Sequence, residues 1–297
     1  MLSRRRFLTI SAVATLLPGA ALAQTHVETA VALGAKVTLR LTHPDAPALA
    51  ALALAEIRRL ERIFSLYLPD SSLSQLNARA RLDAPPFELL ECLSQVDRVY
   101  RASAGRFDPT IQPLWAAEAA AAQRATPLTD RERADAIALI GWHDVAVASQ
   151  AITLRAGQAL TLNGIAQGYI ADRTAQLLAE NGLTDALIDT GEMVALPGRA
   201  WPVKVQGAGR VNLRGRALAT SSPFGMTFGP GQAHSHIFDP AAGRSAGFHW
   251  HTISISAPSA ALADALSTAA CLMASEDQVL ALCQGFPGVE LEAAIRA

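Results

Sequence analysis

Two hydrophobic periods divide the chain. Residues 27–41 alternate loosely, with Val31, Leu33, Val37, Leu39 and Leu41 apolar, and predict a strand pair or one long strand turning at Gly34. Residues 46–67 instead place Leu52, Ile57, Leu60, Ile63 and Phe64 near i, i+3, i+4, i+7 spacing, which predicts a helix. Pro69-Asp70-Ser71-Ser72 breaks it, and 73–78 reads as a short helical turn. A further helix is predicted over 88–104, between Pro85-Pro86 and Gly105. Phe107-Asp108-Pro109-Thr110 is a turn, followed by an Ala-rich stretch.

Helices are predicted over 130–140, 166–181 and 259–273, with Gly182 closing the second and Ser259 capping the third. Short strands are expected at 145–147, 152–154, 186–189, 234–238 and 253–255, with strands dominating 201–228. Residues 159–162 read as a strand-like lead-in to Asn163-Gly164. Helices and hairpins mix without a βαβα rhythm, so the fold class is α+β.

Composition narrows the class. The chain has 297 residues, is 51% hydrophobic and carries net charge −1, so no basic field for nucleic acid is present. The start is different: Ser3-Arg4-Arg5-Arg6-Phe7-Leu8, an apolar run to Leu17, then Ala21-Leu22-Ala23. That is the pattern of a twin-arginine signal peptide over 1–23, with 24–297 as one mature domain. The apolar run is too short to span a bilayer comfortably, and no transmembrane helix is expected after it. A periplasmic location is implied. Cys92, Cys271 and Cys283 form no CxxC; Cys271 reads as a small core residue, with a Cys271–Cys283 disulfide as the alternative.

Three constellations can carry chemistry. Asn163-Gly164-Ile165-Ala166-Gln167-Gly168 is a glycine loop feeding a helix N-terminus, where free N–H groups favour a phosphate; an ordinary strand-to-helix turn reads the same way. His236 and Asp239 lie near Gly243 at a strand end. They can handle a proton, or merely start a turn; His234 and His236 on one strand face also suit a metal. Asp264 and Thr268, at i and i+4, share a helix face and offer hard oxygens for Mg²⁺, unless Asp264 faces water and Thr268 bonds its own backbone.

Together these boxes stand in a known order. The chain resembles the ApbE family of FAD:protein FMN transferases in six segments. They are Phe64-Ser65-Leu66-Tyr67 with Pro69 to Asn77, Gly105 to Thr110, Leu162 to Tyr169 with Asp172, Ala219-Thr220-Ser221, His236 to Gly243, and Ala263 to Thr268. The resemblance implies an ApbE-like, T-fold-like arrangement of mixed sheets with flanking helices. It implies FAD as substrate, Mg²⁺ on its pyrophosphate, FMN transfer to a threonine or serine hydroxyl, and release of AMP. It maps the metal corner onto Asp264, Thr268 and the Ala166 carbonyl. His236, with Asp239, is placed beside the phosphates, guiding the proton of the incoming hydroxyl. Tyr67, Asn77, Asp108, Thr110, Gly164, Gly168 and Thr220 become flavin or adenosine contacts.

The departures are informative. The family usually has lysine where Gln167 stands, Gly-Gly-Asp/Asn where Gly191-Glu192-Met193 stands, and glycine after Thr220-Ser221 where Ser222-Pro223 follows. With the export signal, these resemble the NosX branch, which accompanies nitrous oxide reductase in denitrification and supplies FMN to the membrane flavoprotein NosR. An FAD carrier without transfer, or an FAD pyrophosphatase, are the competing readings.

Overall fold

The structure is a computed structural model describing residues 25–228 and 234–297. The expected signal segment, 1–23, lies outside the described residues. β1 (His26–Ala32) and β2 (Ala35–Leu41) form the anticipated hairpin, followed by α1 (Ala46–Phe64), α2 (Ser72–Arg79), β3 (Arg81–Asp83) and α3 (Phe87–Ala102). Next come α4 (Gln112–Arg124), α5 (Asp130–Ile137), β4 (Ala146–Val147) and β5 (Ala151–Thr153). Then α6 (Ala166–Glu180) leads into β6 (Ala186–Asp189), β7 (Met193–Ala195), β8 (Trp201–Val205), β9 (Gly209–Leu213) and β10 (Arg216–Ser221). Four two-residue strands follow, β11 (Thr227–Phe228), β12 (His234–Ser235), β13 (Phe238–Asp239) and β14 (Arg244–Ser245). The chain closes with β15 (Trp250–Ala257), α7 (Ala260–Ala270), α8 (Glu276–Gln284) and β16 (Glu290–Arg296).

A seven-stranded sheet in the order β1-β2-β6-β7-β10-β15-β16 organises the molecule, and its neighbours pair antiparallel. Strand alternation sorts its side chains onto two faces. Ile188, Val194 and Ala217 join the main core with Ile57 and Leu60 of α1, Ile170 of α6 and Leu266 of α7. Leu187, Met193 and Leu218 join a second core with Trp201, Val203 and Leu213 of the β8–β9 hairpin. The sheet is thus covered by helices on one side and a hairpin on the other.

α7 is the deepest helix. Its sequence AALADALSTAA is apolar nearly all round, as buried helices are, and Asp264 is its one charged residue. Ser259 caps it by accepting from the Leu262 N–H. Asp172 of α6 accepts from the Ala260 and Ala261 N–H groups at 2.7 and 2.9 Å, pinning the same end. Two helices can meet this closely because Gly168 has no side chain: a Cβ there would sit 2.3 Å from the Ala260 carbonyl oxygen.

Several expectations are corrected. Residues 159–162 are not a strand. Asn77 occupies both backbone groups of Leu160, donating to its carbonyl and accepting its N–H at 2.8 Å each, so no neighbour can pair there. The strand expected over 234–238 is split, because the Ser235 hydroxyl turns the chain by accepting from the Ile237 N–H. His236 therefore lies past the end of β12, and the strand-face histidine pair is not formed. α1 stops at Phe64, where Ser65 turns extended and its hydroxyl accepts from Tyr67 and Leu68. Cys271 and Cys283 are not bonded; all three cysteines are free and buried. Among the described residues no helix is long and apolar enough to cross a membrane.

Candidate functional site

A cavity opens where α6, the loop between β6 and β7, β10 and α7 converge with the 106–109 turn and His236. Its floor is α7. Asp264 and Thr268 both face it, one turn apart, and Gly164 lies against Thr268: a Cβ at Gly164 would approach Thr268 Oγ1 to 3.0 Å and the Phe107 ring to 3.2 Å. The two glycines of the loop therefore do different work. Gly168 makes room for protein backbone, and Gly164 keeps the pocket wall low.

Asp264 is buried, 4% exposed, so the water-facing alternative does not hold. The Gly168 N–H at the start of α6 faces its carboxylate, but Oδ2 has no hydrogen-bond partner. Burial pushes its pKa far above the usual carboxylate range, with nearby Asp172 adding to the rise. Thr268 reaches the Ser221 hydroxyl at 3.3 Å, and Ser221 also pairs with Ser267 at 2.7 Å, so the hydroxyls of β10 and α7 form one polar seam. Thr220 lines the cavity and shares a 2.8 Å hydrogen bond with Ser254.

Glu192 enters the same cavity from the loop after β6. It is buried, its Oε2 has no partner, and the Thr220 N–H donates to the carboxylate. Burial raises its pKa strongly, and Asp264 and Asp189 push in the same direction. Gly191, at φ +110°, turns the backbone in the left-handed region to place it.

The other candidates divide. His236 lines the cavity; its Nδ1 lies 2.9 Å from the Met226 carbonyl, and burial lowers its pKa below the ordinary 6.5. The Met226 N–H also lies 3.3 Å from Nδ1; the neutral tautomer that donates Nδ1–H to the shorter carbonyl contact leaves Nε2 with its lone pair free. Asp108 lines the cavity, but its oxygens accept from Thr110 and Trp142, and buried Thr110 accepts from the Gly141 N–H. Asp108 and Thr110 thus lock the cavity wall. Asn77 lies outside and secures the lead-in loop. Asp239 also lies outside: its Oδ1 accepts from Ala241 and Ala242, closing the turn that ends at Gly243. Tyr67 lines a neighbouring, smaller cavity with Ala166 and bonds the Asn163 side chain. Asn163 and Gln167 border both cavities. Arg106 brings a charge to the main cavity, although its place beside Phe107 in the sequence does not single it out as a site residue.

The sequence profile of the ApbE family matches residues 33–292. The chain belongs to the ApbE family. A relative from Treponema pallidum, named FAD:protein FMN transferase, is 32% identical over 158 residues, 46% of this chain and 43% of that protein. One from Chlamydia pneumoniae with the same name is 28% identical over 231 residues, 71% of each. The crystal structure of the ApbE protein from Thermotoga maritima superposes with a TM-score of 0.79 at 23% identity, over 92% of this chain and 97% of that one. The ApbE fold is thereby shared, mixed sheets and flanking helices included. Within it, Gln167 lies beside the backbone that carries Glu192, since a Cβ at the preceding Gly191 would lie 3.4 Å from the Gln167 amide.

Proposed function

We propose that this chain moves the FMN half of FAD onto a threonine or serine hydroxyl of an acceptor flavoprotein and releases AMP. The carrying observation is the buried carboxylate of Asp264, unpartnered at Oδ2 and set with the Thr268 hydroxyl on the cavity floor. That donor set fits Mg²⁺: hard oxygens, one of them a carboxylate, on the floor of a cavity. Asp264, Thr268 and the Ala166 carbonyl would hold the ion. When bound, Mg²⁺ supplies Lewis-acid neutralisation of the negative charge on the pyrophosphate.

The chain's own residues do the rest. Gly164 leaves room for the ligand, and the paired cavities flanking Asn163 and Gln167 suit the two lobes of a dinucleotide. Tyr67 offers a ring in the smaller cavity, and Thr220 a hydroxyl in the larger one. The acceptor oxygen bonds to the FMN phosphorus as the bond from that phosphorus to the bridging oxygen breaks, and AMP departs. His236 takes the hydroxyl proton on its free nitrogen, a role its lowered pKa suits at neutral pH.

The leader of paired arginines supports twin-arginine export and a periplasmic site of action on the mature domain 24–297. Together with Gln167 and Glu192 it supports a NosX-like role, with the periplasmic domain of a NosR-like membrane protein as acceptor. The test is to incubate the chain with FAD, Mg²⁺ and an acceptor domain bearing the threonine motif, then weigh the acceptor. A gain of one FMN is expected. Bound FAD with neither mass gain nor AMP would replace the transferase with a carrier, and free FMN plus AMP would make it a pyrophosphatase.

A further inference from the structure

Glu192 is the carboxylate that the proposed reaction does not use. It is 9% exposed, it lines the same cavity as Asp264, and one oxygen of each residue has no hydrogen-bond partner. Buried carboxylates normally have both oxygens satisfied, so two orphaned ones in a single cavity need a common explanation. Arg106 lines the same cavity, but it donates to the Ser103 carbonyl and is not among the groups acting on either acid. The groups acting on Glu192 are two more acids, Asp264 and Asp189, and one N–H from Thr220. The lysine and arginine that act on this group of acids, Lys36 and Arg40, act on Asp189. The nearest polar side chain across Gly191 is the neutral amide of Gln167. The cavity therefore holds two facing acids with unused oxygens and a neutral residue beside them.

We infer that Glu192 is a second carboxylate ligand for a divalent hard cation, Mg²⁺ or Mn²⁺, completing with Asp264 a site of two negative charges. Such a cation carries the charge needed to balance both groups and prefers carboxylate oxygens. The left-handed turn at Gly191 and the Thr220 N–H fix the side chain from two sides, as ligating carboxylates are commonly held. A proton shared between the two acids is the competing occupant, and it predicts no effect of Mn²⁺. The inference rests on the reading that Asp264 belongs to the cation corner.

The experiment is Mn²⁺ binding to the FAD-free chain, followed by electron paramagnetic resonance of the free ion, with thermal melting in parallel. The proteins are wild type, Glu192→Gln, Glu192→Asp and Asp264→Asn. Wild type is expected to bind Mn²⁺. Glu192→Gln and Asp264→Asn should each weaken binding at least tenfold, and Glu192→Asp should retain part of it. Without metal, Glu192→Gln should melt at or above the wild-type temperature, because a buried acid set against Asp264 and Asp189 is gone, and should lose the Mn²⁺-induced rise. If Asp264→Asn weakens binding and Glu192→Gln does not, the inference is overturned and the Asp264 corner stands. If wild type binds no Mn²⁺, or neither substitution matters, both are overturned.

Discussion

Asp172 and Asp264 sit at opposite ends of one helix contact. Asp172 projects from α6 toward the N-terminus of α7, and Asp264 from α7 toward that of α6. Both carboxylates have raised pKa values because of burial, Asp172 to about 6. Their hydrogen bonding separates them. Asp172 accepts through both oxygens from Ala260 and Ala261, whereas Asp264 leaves Oδ2 unpartnered at a cavity. The same residue type, on the same pair of helices, is a cap in one case and an available ligand in the other. Burial alone does not mark a functional acid; burial with an unused oxygen facing open space does.

The sharpest way to break this comparison is to remove each acid in turn. Asp264→Ala should reduce Mg²⁺-dependent transfer about a thousandfold, the several kcal/mol that a Lewis acid contributes, while the protein stays folded and still binds FAD. Asp172→Ala should leave the metal dependence unchanged. Initial rates against Mg²⁺ concentration, with FAD affinity from fluorescence titration, decide it. An Asp264→Ala enzyme with wild-type turnover would remove the metal corner from this residue.

His236 and Asp239 give the same contrast in one motif, since one lines the cavity and the other closes a turn. His236→Ala should slow transfer about a hundredfold or more, as expected for lost proton transfer, with less effect on FAD affinity. Its folded pKa lies below 6.5, so the neutral, proton-accepting form persists through neutral pH and is lost only as pH falls below that ordinary value. The pH–rate profile should be level from pH 8 down to about 6.5 and then decline. An inflection above pH 7 that disappears in His236→Ala would contradict the buried environment.

The two glycines separate packing from binding. Gly168→Ala forces a Cβ into the Ala260 backbone, which cannot move aside as a side chain can, and should destabilise by about 1–3 kcal/mol. Gly164→Ala meets only side chains, of Thr268 and Phe107. It should lower the melting temperature less and FAD affinity more. Equal melting temperatures for the two variants would show that α6 and α7 are not held as described.

Much of this was readable before the fold was known. The 3.6 period placed α1, and boundary residues (Pro85-Pro86 with Gly105, Gly182, and Ser259) placed α3, α6 and α7 within a few residues; Ser259 was legible as a cap because a hydroxyl before an apolar run has few other uses. The ordered boxes found Asp264, Thr268, Gly164, Thr220 and His236, which do meet at one cavity. What could not be read was the destination of each polar group. Asn77 and Leu160 are 83 residues apart, so nothing local announced that the amide serves a backbone strand-mimic rather than a ligand. Gly168 looked like a phosphate-loop glycine because a close backbone neighbour and a close ligand demand the same missing Cβ. β7 and β16 were missed: β7 has only three residues, and Leu291 and Ile295 are scattered among half-buried neighbours in β16.

The smallest effect returns to Asp172. Its folded pKa of about 6 exceeds the ordinary carboxylate value near 4, so between those values the native state binds more protons than the unfolded chain. The stability it contributes is therefore full at the acidic end and declines as pH rises toward 6. Against this, both α7 amides are satisfied at every pH where the side chain is present, worth about 1–2 kcal/mol as a cap. Melting temperatures of wild type and Asp172→Ala should therefore differ most near pH 4 and converge as pH rises through 6. A gap that widens with pH would mean that the charged carboxylate, rather than the protonated acid, is the better partner for α7, and that burial at this position costs less than the hydrogen bonds return.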